Sequence, residues 1–296
     1  MGLILKDVSK TFVGKKVVDN ISIELDKPGV FGLLGTNGAG KTTTIRMLLG
    51  IIKKDSGQIT WNGKNVERKN VTFGYLPEER GVYPKVKIYD QLMYFANLKG
   101  MNKKEADEAI KKWAKELKVE EYMQMPAEKL SKGNQQKIQF ITSIIHNPEL
   151  IVLDEPFSGL DPVNTELLKN IIIDLVSKGK YIIMSAHQMS TIEEFCTDIL
   201  ILNKGKTVLK GNLKQIKDTY PANRIEIDVN EKINKYIEKF NLNIEFEKDS
   251  NYIIGLKEEC KADELLKELV KNNIKINKFE IKKPTLNDIF IEKVGE

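Results

Sequence analysis

The stretch GVFGLLGTNGAGKT, residues 29–42, joins an apolar run to a glycine-rich turn. Its second half matches the pattern G-x-x-x-x-G-K-[ST], which is typical of a phosphate-binding loop (P-loop). Gly35, Gly38 and Gly40 let the backbone adopt turns that a side chain would forbid, so that successive N–H groups can face an anion. The pattern therefore predicts a buried strand that leads into a phosphate site.

The segment that follows, KTTTIRMLLGII (41–52), predicts a helix whose N-terminus also favours an anionic phosphate. We expect Lys41 to reach the β- and γ-phosphates of a nucleotide and the Thr42 hydroxyl to hold Mg²⁺. A chance glycine-rich turn is the alternative. The order of strand, loop and helix favours the phosphate site.

A second buried strand, LIVLDEP (150–156), brings Asp154 to its carboxyl end, where α/β sheets bind ligands. Asp154 suits Mg²⁺ binding, and Glu155 is a candidate to orient or deprotonate the attacking water. Adjacent strand residues point to opposite faces, so the strand end must let both acids reach the site. His187 ends the strand YIIMSA and is a candidate γ-phosphate contact, with a structural histidine as the alternative.

Strands alternate with helices over residues 1–220, which predicts an α/β fold with a parallel core. Residues 3–25 read as strands, and residues 87–146 read as a helical insertion. Residues 221–296 follow the order strand, helix, strand, strand, helix, strand, helix, which predicts a small α/β C-terminal domain. We interpret this second domain as a binding or assembly module, because it contains no metal, nucleophile or phosphate motif.

Composition excludes several classes of protein. The chain is 41% hydrophobic and 30% charged, with no apolar run near the roughly 18–20 residues that cross a bilayer. Two distant cysteines and two histidines argue against a disulfide framework and against zinc. The net charge of +5 divides into +7 for residues 1–220 and −2 for residues 221–296, and it is scattered, so we expect no nucleic-acid partner.

The stretch LSKGNQQK (130–137) resembles the signature motif of ABC ATPases, and SGLD (158–161) and His187 also match that family. With the P-loop and LIVLDEP, five ordered motifs over residues 1–220 resemble the nucleotide-binding subunit of an ABC transporter. The resemblance implies a P-loop NTPase core of the ABC type with a β-subdomain, Mg²⁺ and ATP as cofactors, and a head-to-tail dimer of two nucleotide-binding domains, most simply two identical chains.

The resemblance also implies roles for individual residues. Glu155 would be the catalytic base, and His187 and Glu78 would act with it. Thr42, Asp154 and Glu78 would hold the metal. The ATP-binding residues would be Phe12, Gly35, Asn37, Gly38, Ala39, Gly40, Lys41, Thr42, Thr43, Ser131, Gly133, Gln135 and Asp161. Among them, Phe12 would stack on adenine, and Ser131 and Gly133 would contact the γ-phosphate of the partner's ATP.

Two residues depart from the family signature. Lys132 stands where the family has glycine, and Asn134 stands where it has glutamine. We expect a working site if the Lys132 side chain points outward. A half-site that binds ATP without turnover is the alternative.

The ending PTLNDIFIEKVGE (284–296) and the stretch GYLPEERGVYP (74–84) resemble bacterial exporter ATPases, which include sodium-extrusion and drug- or peptide-export systems. That resemblance implies a separate membrane permease that docks on the helical block, and a cytoplasmic subunit bound peripherally to the inner face of the membrane. A soluble ABC ATPase with a nucleic-acid, ribosomal or regulatory role is the alternative. The first two roles are typical of chains with two fused nucleotide domains or a long coiled-coil insertion, and a non-catalytic regulator would lack Glu155 or His187.

Glu78 stands where the family usually has glutamine. A carboxylate can bind Mg²⁺ and accept a hydrogen bond from water, because hard cations favour oxygen ligands. It also adds negative charge near the γ-phosphate, which Mg²⁺ or Arg80 would have to compensate. A solvent-facing Glu78 without a catalytic role is the alternative.

Overall fold

A computed structural model describes residues 2–66, 71–79, 81–186, 189–258 and 260–295. Contacts within the chain divide it into two compact units, residues 1–211 and residues 212–296. The domain boundary that the sequence predicts at residue 220 stays a prediction. The two units are described separately below.

The first unit contains two sheets and six α-helices among its described residues. Its strands are β1 (Leu3–Phe12), β2 (Lys15–Leu25), β3 (Gly29–Gly35), β4 (Ser56–Trp61), β5 (Lys64–Asn65), β6 (Phe73–Leu76), β7 (Leu150–Asp154), β8 (Tyr181–Ser185), β9 (Asp198–Asn203) and β10 (Lys206–Asn212). Its helices are α1 (Lys41–Leu48), α2 (Ile88–Leu98), α3 (Lys103–Glu116), α4 (Lys132–Ile144), α5 (Pro162–Ser177) and α6 (Met189–Phe195). The predicted α/β class is confirmed.

The central sheet has the strand order β10-β9-β3-β8-β7-β6. β3 pairs in parallel with β8 and β9, and β7 pairs in parallel with β6 and β8. Every residue of β7 is buried, as expected for a strand covered on both faces. Parallel pairing brings the carboxyl ends of β3, β7 and β8 to one edge of the sheet, which is where the P-loop begins.

Strand β6 is not among the strands that the sequence predicts. The first residues of the stretch GYLPEERGVY, Gly74 to Leu76, continue a strand from Phe73 that pairs with β7. Leu76 is fully buried in this position. Glu78 therefore follows a sheet strand directly, and its backbone starts at the same edge as that of Asp154.

The second sheet is antiparallel and has the order β2-β1-β4-β5. Its strands β1 and β2 confirm the prediction that residues 3–25 form strands. Its apolar face shares one core with the central sheet and α1, because Leu5 and Ile23 belong to the same buried cluster as Ile45 and Leu200. The predicted helical insertion contains α2, α3 and α4. A capping box between Asn102 and Glu105 fixes the start of α3.

The second unit has the helices α7 (Leu213–Asp218), α8 (Asn234–Lys239), α9 (Cys260–Lys271) and α10 (Leu286–Gly295) and the strands β11 (Arg224–Val229), β12 (Asn243–Lys248), β13 (Asn251–Gly255) and β14 (Ile276–Lys282). The sheet order is β12-β13-β11-β14, and every pairing is antiparallel. From β11 to α10 the predicted order of strands and helices is confirmed. Across both units, none of the described helices is long and apolar enough to cross a membrane.

Candidate functional site

The P-loop is held by glycines that approach other backbone closely. Gly35 has φ 151°, and a Cβ there would lie 2.5 Å from the Leu202 carbonyl oxygen. Gly40 has φ 104°, and a Cβ there would lie 2.7 Å from the Val17 carbonyl oxygen. Both glycines therefore combine a left-handed backbone with contacts that exclude any side chain.

Helix α1 begins at Lys41, directly after the loop. Its N-terminus has no side-chain cap and no acidic residue in its first turn. The first N–H groups of a helix lack partners within the helix and carry partial positive charge. This end of α1 can therefore accept an anion without displacing a side chain of its own.

A cavity of about 330 Å³ lies over the loop. It is lined by Val17, Thr36, Asn37, Gly38, Ala39, Gly40, Lys41, Thr42, Thr43, Glu78, Asp154 and Glu155. These residues come from β2, from the P-loop, from the start of α1, from the end of β7 and from the segments that follow β6 and β7. The structure thus brings most of the predicted site residues to one place.

Lys41 is only 9% exposed and lies folded over the loop. Its Nζ donates hydrogen bonds to the carbonyl oxygens of Gly35, at 2.7 Å, and Thr36, at 3.3 Å. Burial lowers the pKa of this amine, while the nearby carboxylates of Glu155, Asp154 and Glu78 act in the opposite direction. The ammonium thus lies in the field of all three acids.

Asp154 is 2% exposed at the end of β7. Its Oδ1 accepts a hydrogen bond from the Ser185 hydroxyl, and its Oδ2 is buried without a hydrogen-bond partner among the described residues. Burial raises the pKa of this carboxyl group. A buried carboxylate oxygen without a donor is costly, and a cation bound in the cavity would offset that cost.

Glu155 has φ 53°, which is uncommon for a residue with a side chain. Its N–H donates to the Ser185 carbonyl oxygen at 3.2 Å. The left-handed turn ends the strand alternation after Asp154, so both acids line the same cavity. The sequence required the end of β7 to let both acids reach the site, and this turn meets that requirement. The left-handed conformation costs about 1–3 kcal/mol of backbone strain, and such strain is typical of functional sites.

Glu78 lines the cavity although its side chain is exposed. The metal-binding and catalytic roles predicted for Glu78 stay predictions. Arg80 and His187 lie outside the described residues, so the roles predicted for them stay predictions.

The signature segment lies elsewhere on the surface of the first unit. Ser131 caps α4 by accepting a hydrogen bond from the Asn134 N–H at 3.3 Å, and both Ser131 and Lys132 are exposed. A Cβ on Gly133 would lie 3.2 Å from the Gly159 carbonyl oxygen, so a side chain there would crowd the neighbouring loop. None of these residues lines the P-loop cavity.

Four further predicted residues also lie outside the lining of the cavity, among them Gly35, whose carbonyl oxygen accepts a hydrogen bond from Lys41. The Gln135 amide donates to the carbonyl oxygens of Ala127 and Leu130, and Asp161 caps α5 by accepting from the Asn164 N–H. Phe12 is 40% exposed at the end of β1. Their predicted roles in ATP binding stay predictions.

Comparison with known proteins identifies the family. The family model "ABC transporter" matches residues 18–158, and the model "ATP-binding protein DrrA1-3-like, C-terminal domain" matches residues 211–294. The uncharacterized ABC transporter ATP-binding protein YhaQ of Bacillus subtilis is 43% identical over 297 residues, covering 99% of this chain and 98% of YhaQ. The chain belongs to the ABC transporter ATP-binding proteins.

Two further matches place this ABC ATPase among relatives and solved structures. The lipopolysaccharide export system ATP-binding protein LptB of Haemophilus influenzae is 28% identical, covering 75% of this chain and 95% of LptB. A solved ATP-binding subunit of an ABC transporter is 29% identical with a TM-score of 0.69, covering 74% of this chain and 93% of that one. ABC transporter ATP-binding proteins bind and hydrolyse ATP, so the chain is an ATPase subunit.

The structure of this ABC ATPase also reveals residues that the sequence did not single out. Ser185 ends β8 and bonds both the Asp154 carboxylate and the Glu155 N–H. Its position beside β7 at the carboxyl edge was the available signal. Gln136 and Gln139 on α4 donate to the backbone next to Glu155 and next to Glu78. Nothing local to α4 indicated those partners.

Proposed function

We propose that this chain is the ATP-binding and ATP-hydrolysing subunit of an ABC exporter, that it works as a homodimer on Mg²⁺–ATP, and that it powers a separate membrane permease. One observation carries the catalytic part of the proposal. A single cavity collects the P-loop, Asp154, whose Oδ2 has no hydrogen-bond partner among the described residues, and the carboxylates of Glu155 and Glu78.

The phosphates of ATP would lie against the P-loop and the uncapped N-terminus of α1. Backbone N–H groups and the helix dipole favour negative charge there. Lys41 would exchange its two carbonyl partners for phosphate oxygens. That exchange suits its position, because the amine is already held inside the loop.

The donor set fits Mg²⁺. Thr42, Asp154 and Glu78 line the cavity and offer one hydroxyl and two carboxylates, which are hard oxygen ligands. The buried Oδ2 of Asp154 without a partner among the described residues supports this fit. When bound, Mg²⁺ neutralises negative charge that develops on the phosphates. Asp154 would serve it in the ionised form, because a cation opposes the effect of burial on its pKa.

Glu155 is the proposed general base. Its carboxylate would orient the attacking water and accept its proton, and its left-handed backbone is what brings the side chain to the cavity. His187 would contact the γ-phosphate, by resemblance to the family.

The position of the signature residues supports the proposed dimer. Ser131 is exposed at the N-terminus of α4 and lies outside the lining of its own P-loop cavity. In a head-to-tail dimer, Ser131 and Gly133 of each chain would close the cavity of the other, with the start of α4 facing phosphate. Phe12 would stack on adenine, and Asp161 would link the two sites.

The permease would dock on a groove of about 590 Å³ in the first unit. The groove is lined by Leu49, Ile51, Val71, Thr72, Phe73, Tyr75, Leu98, Lys99, Gly100 and His146. Ile51 and Leu98 are more than half exposed, at 51% and 63%, and an exposed apolar patch is typical of an interaction site. Docking there would place the subunit on the cytoplasmic face of the membrane.

Export is the proposed direction of transport. The C-terminal unit matches the DrrA1-3-like model, and LptB, which the chain resembles over 75% of its length, is named as part of an export system. The branch that the sequence resembles implies the same direction.

The test combines turnover and transport. The purified chain should hydrolyse ATP only with Mg²⁺ present, and the membrane partner that co-purifies from the native cell should be a multispanning permease. Reconstituted vesicles with that permease should move cargo away from the ATP-binding face. ATP binding without turnover would reject the hydrolytic role, and movement of cargo toward that face would reject export.

A further inference from the structure

Two buried glutamines lie three positions apart on one face of α4. Gln136 is 5% exposed and Gln139 is 4% exposed. Both side chains donate hydrogen bonds to main-chain carbonyl oxygens of other elements, not to α4 itself. Buried polar side chains need such partners, so these contacts fix where the neighbouring segments run.

Gln139 holds the segment that carries Glu78. Its Nε2 donates to the carbonyl oxygen of Pro77 at 3.2 Å and to that of Glu79 at 3.0 Å. One amide group thus bonds the residues on both sides of Glu78, about 60 positions earlier in the chain. The exposed Glu78 side chain lines the P-loop cavity only while this stretch of backbone stays in place.

Gln136 holds the segment that carries Glu155. Its Nε2 donates to the Glu155 carbonyl oxygen at 3.3 Å and to the Pro156 carbonyl oxygen at 3.0 Å. The same helix face therefore binds the backbone beside both cavity acids that follow the ends of β6 and β7. Because a helix is rigid over one turn, α4 sets the spacing between these two acids.

We propose that Gln139 is a positioning residue for ATP hydrolysis, which holds Glu78 at the distance from Glu155 that Mg²⁺-dependent turnover needs. This inference rests on the proposed role of Glu78. Gln139 does not line the P-loop cavity. It acts through the backbone of Pro77 and Glu79, and a shift of α4 on closure of the dimer would move Glu78 with it.

The test variant is Gln139→Met, which keeps the size of the side chain and removes the amide. ATP affinity without Mg²⁺ should stay within about twofold, because the P-loop is untouched. The Mg²⁺ concentration for half-maximal ATPase should rise, and kcat should fall. Dividing kcat by that Mg²⁺ concentration should give a value roughly tenfold lower than in the wild-type chain, in line with couplings measured between contacting residues. A change in ATP affinity alone, with an unchanged Mg²⁺ requirement, would overturn the proposal.

Gln91→Met is the matched control for lost stability. Gln91 is also buried, at 2% exposed. Its amide donates to the carbonyl oxygens of Tyr83 and Val86 in the segment before α2 and accepts from the Tyr83 N–H. Both variants should lower the melting temperature, because each leaves two carbonyls without a donor. Only Gln139→Met should change the Mg²⁺ requirement. An equal change in both variants would mean that loosening this region is enough, and would reject a specific role for Gln139.

A double-mutant cycle with Glu78→Ala separates this inference from the proposed function. If Gln139 acts through Glu78, Gln139→Met should have little further effect in the Glu78→Ala background. If Glu78→Ala itself impairs Mg²⁺-dependent ATPase and the effects of the two substitutions add fully, the role of Gln139 is rejected and that of Glu78 stands. Normal Mg²⁺ dependence in Glu78→Ala would instead reject the role proposed for Glu78, and Gln139 would fall with it.

Discussion

The two units of this chain differ in where they put their charges. The first unit buries Lys41, Lys137 and Asp154, each at 9% exposure or less. In the described part of the second unit no charged side chain is buried, and its charges pair across the sheet surface, as Glu226 does with Lys278 and Lys282. Burying a charge is costly unless it is paired, and surface pairs contribute little, so the first unit is where charges serve a chemical purpose.

Left-handed backbone conformations other than those of glycine occur in both units, but among the described residues only the first unit has one at the end of a buried strand. In the second unit, residues with left-handed φ other than glycine are polar turn residues such as Asn241, Asp249 and Asn273, for which this conformation is cheapest. In the first unit Glu155 adopts it at the end of a buried strand, where the turn brings a carboxylate to the cavity. At the P-loop cavity this left-handed residue directly follows the buried Asp154.

The largest effect should come from Glu155→Gln. Loss of the proposed base should reduce the ATPase rate by about 10²- to 10⁴-fold, the range typical of general bases. ATP should still bind, so the ATP-bound dimer should accumulate, which size-exclusion chromatography with ATP would detect.

Glu166→Gln on the exposed surface of α5 is the matched control and should hydrolyse ATP at the normal rate. Normal turnover in Glu155→Gln would show that the strained position of Glu155 has another cause. The buried charge and left-handed backbone of the first unit would then not be explained by catalysis.

Lys41→Ala should have the next largest effect. The variant removes a charge-assisted contact to phosphate, typically 1.5–3 kcal/mol, so ATP should bind about 10- to 150-fold more weakly. Titration with a fluorescent ATP analogue measures this, with Lys53→Ala on the exposed surface as the control. Equal ATP affinity in the wild-type chain and in Lys41→Ala would show that the Lys41 amine does not contact the phosphates.

Local patterns were enough to predict the P-loop, β7, the helical block and the succession of strands and helices along the second unit. Each of these features is indicated by residues that are close together in the sequence, such as GTNGAGKT and LIVLDEP. Strand β6 was not predicted, because its glycine and the following proline resemble a turn and its identity depends on pairing with β7. An edge strand of this kind is defined by its neighbour and not by its own composition.

The details of the site were less predictable. The sequence required both Asp154 and Glu155 to reach one cavity but could not show how, because a left-handed glutamate has no local signal. The bonds of Gln136 and Gln139 were also beyond prediction, since their partners lie 19 to 62 positions away. Such contacts exist only once the sheet and α4 have packed together.

A third prediction concerns pH. His146 lies in the first unit, and its Nε2–H donates to the Phe73 carbonyl oxygen at 2.8 Å. Burial lowers its pKa from 6.5 to about 4. Above pH 6.5 the ring is neutral in both the folded and unfolded states. Between pH 6.5 and 4 only the unfolded chain gains a proton, so stability falls as the pH falls through this window.

Between pH 7 and pH 5 the free energy of unfolding should therefore fall by about 2 kcal/mol through this residue. His146→Gln keeps a donor for Phe73 and removes the titration, so denaturant unfolding of both proteins at the two pH values isolates the effect. Equal pH dependence in the variant and the wild-type chain would contradict the assignment. The described part of the second unit has no histidine and should contribute little in this window.

The smallest effect on the nucleotide site should follow removal of the second unit. Residues 212–296 form a separate compact unit, and all residues that line the P-loop cavity belong to residues 1–211. A chain ending at Asn212, the last residue of β10, should keep its central sheet and bind ATP within about twofold of the full chain, since a compact unit with its own core can fold alone. Titration with ATP measures this, with circular dichroism as the check on folding. A folded but non-binding truncated chain would show that the second unit supports the site from outside the cavity, and the contrast in charge burial would then describe two halves of one functional unit.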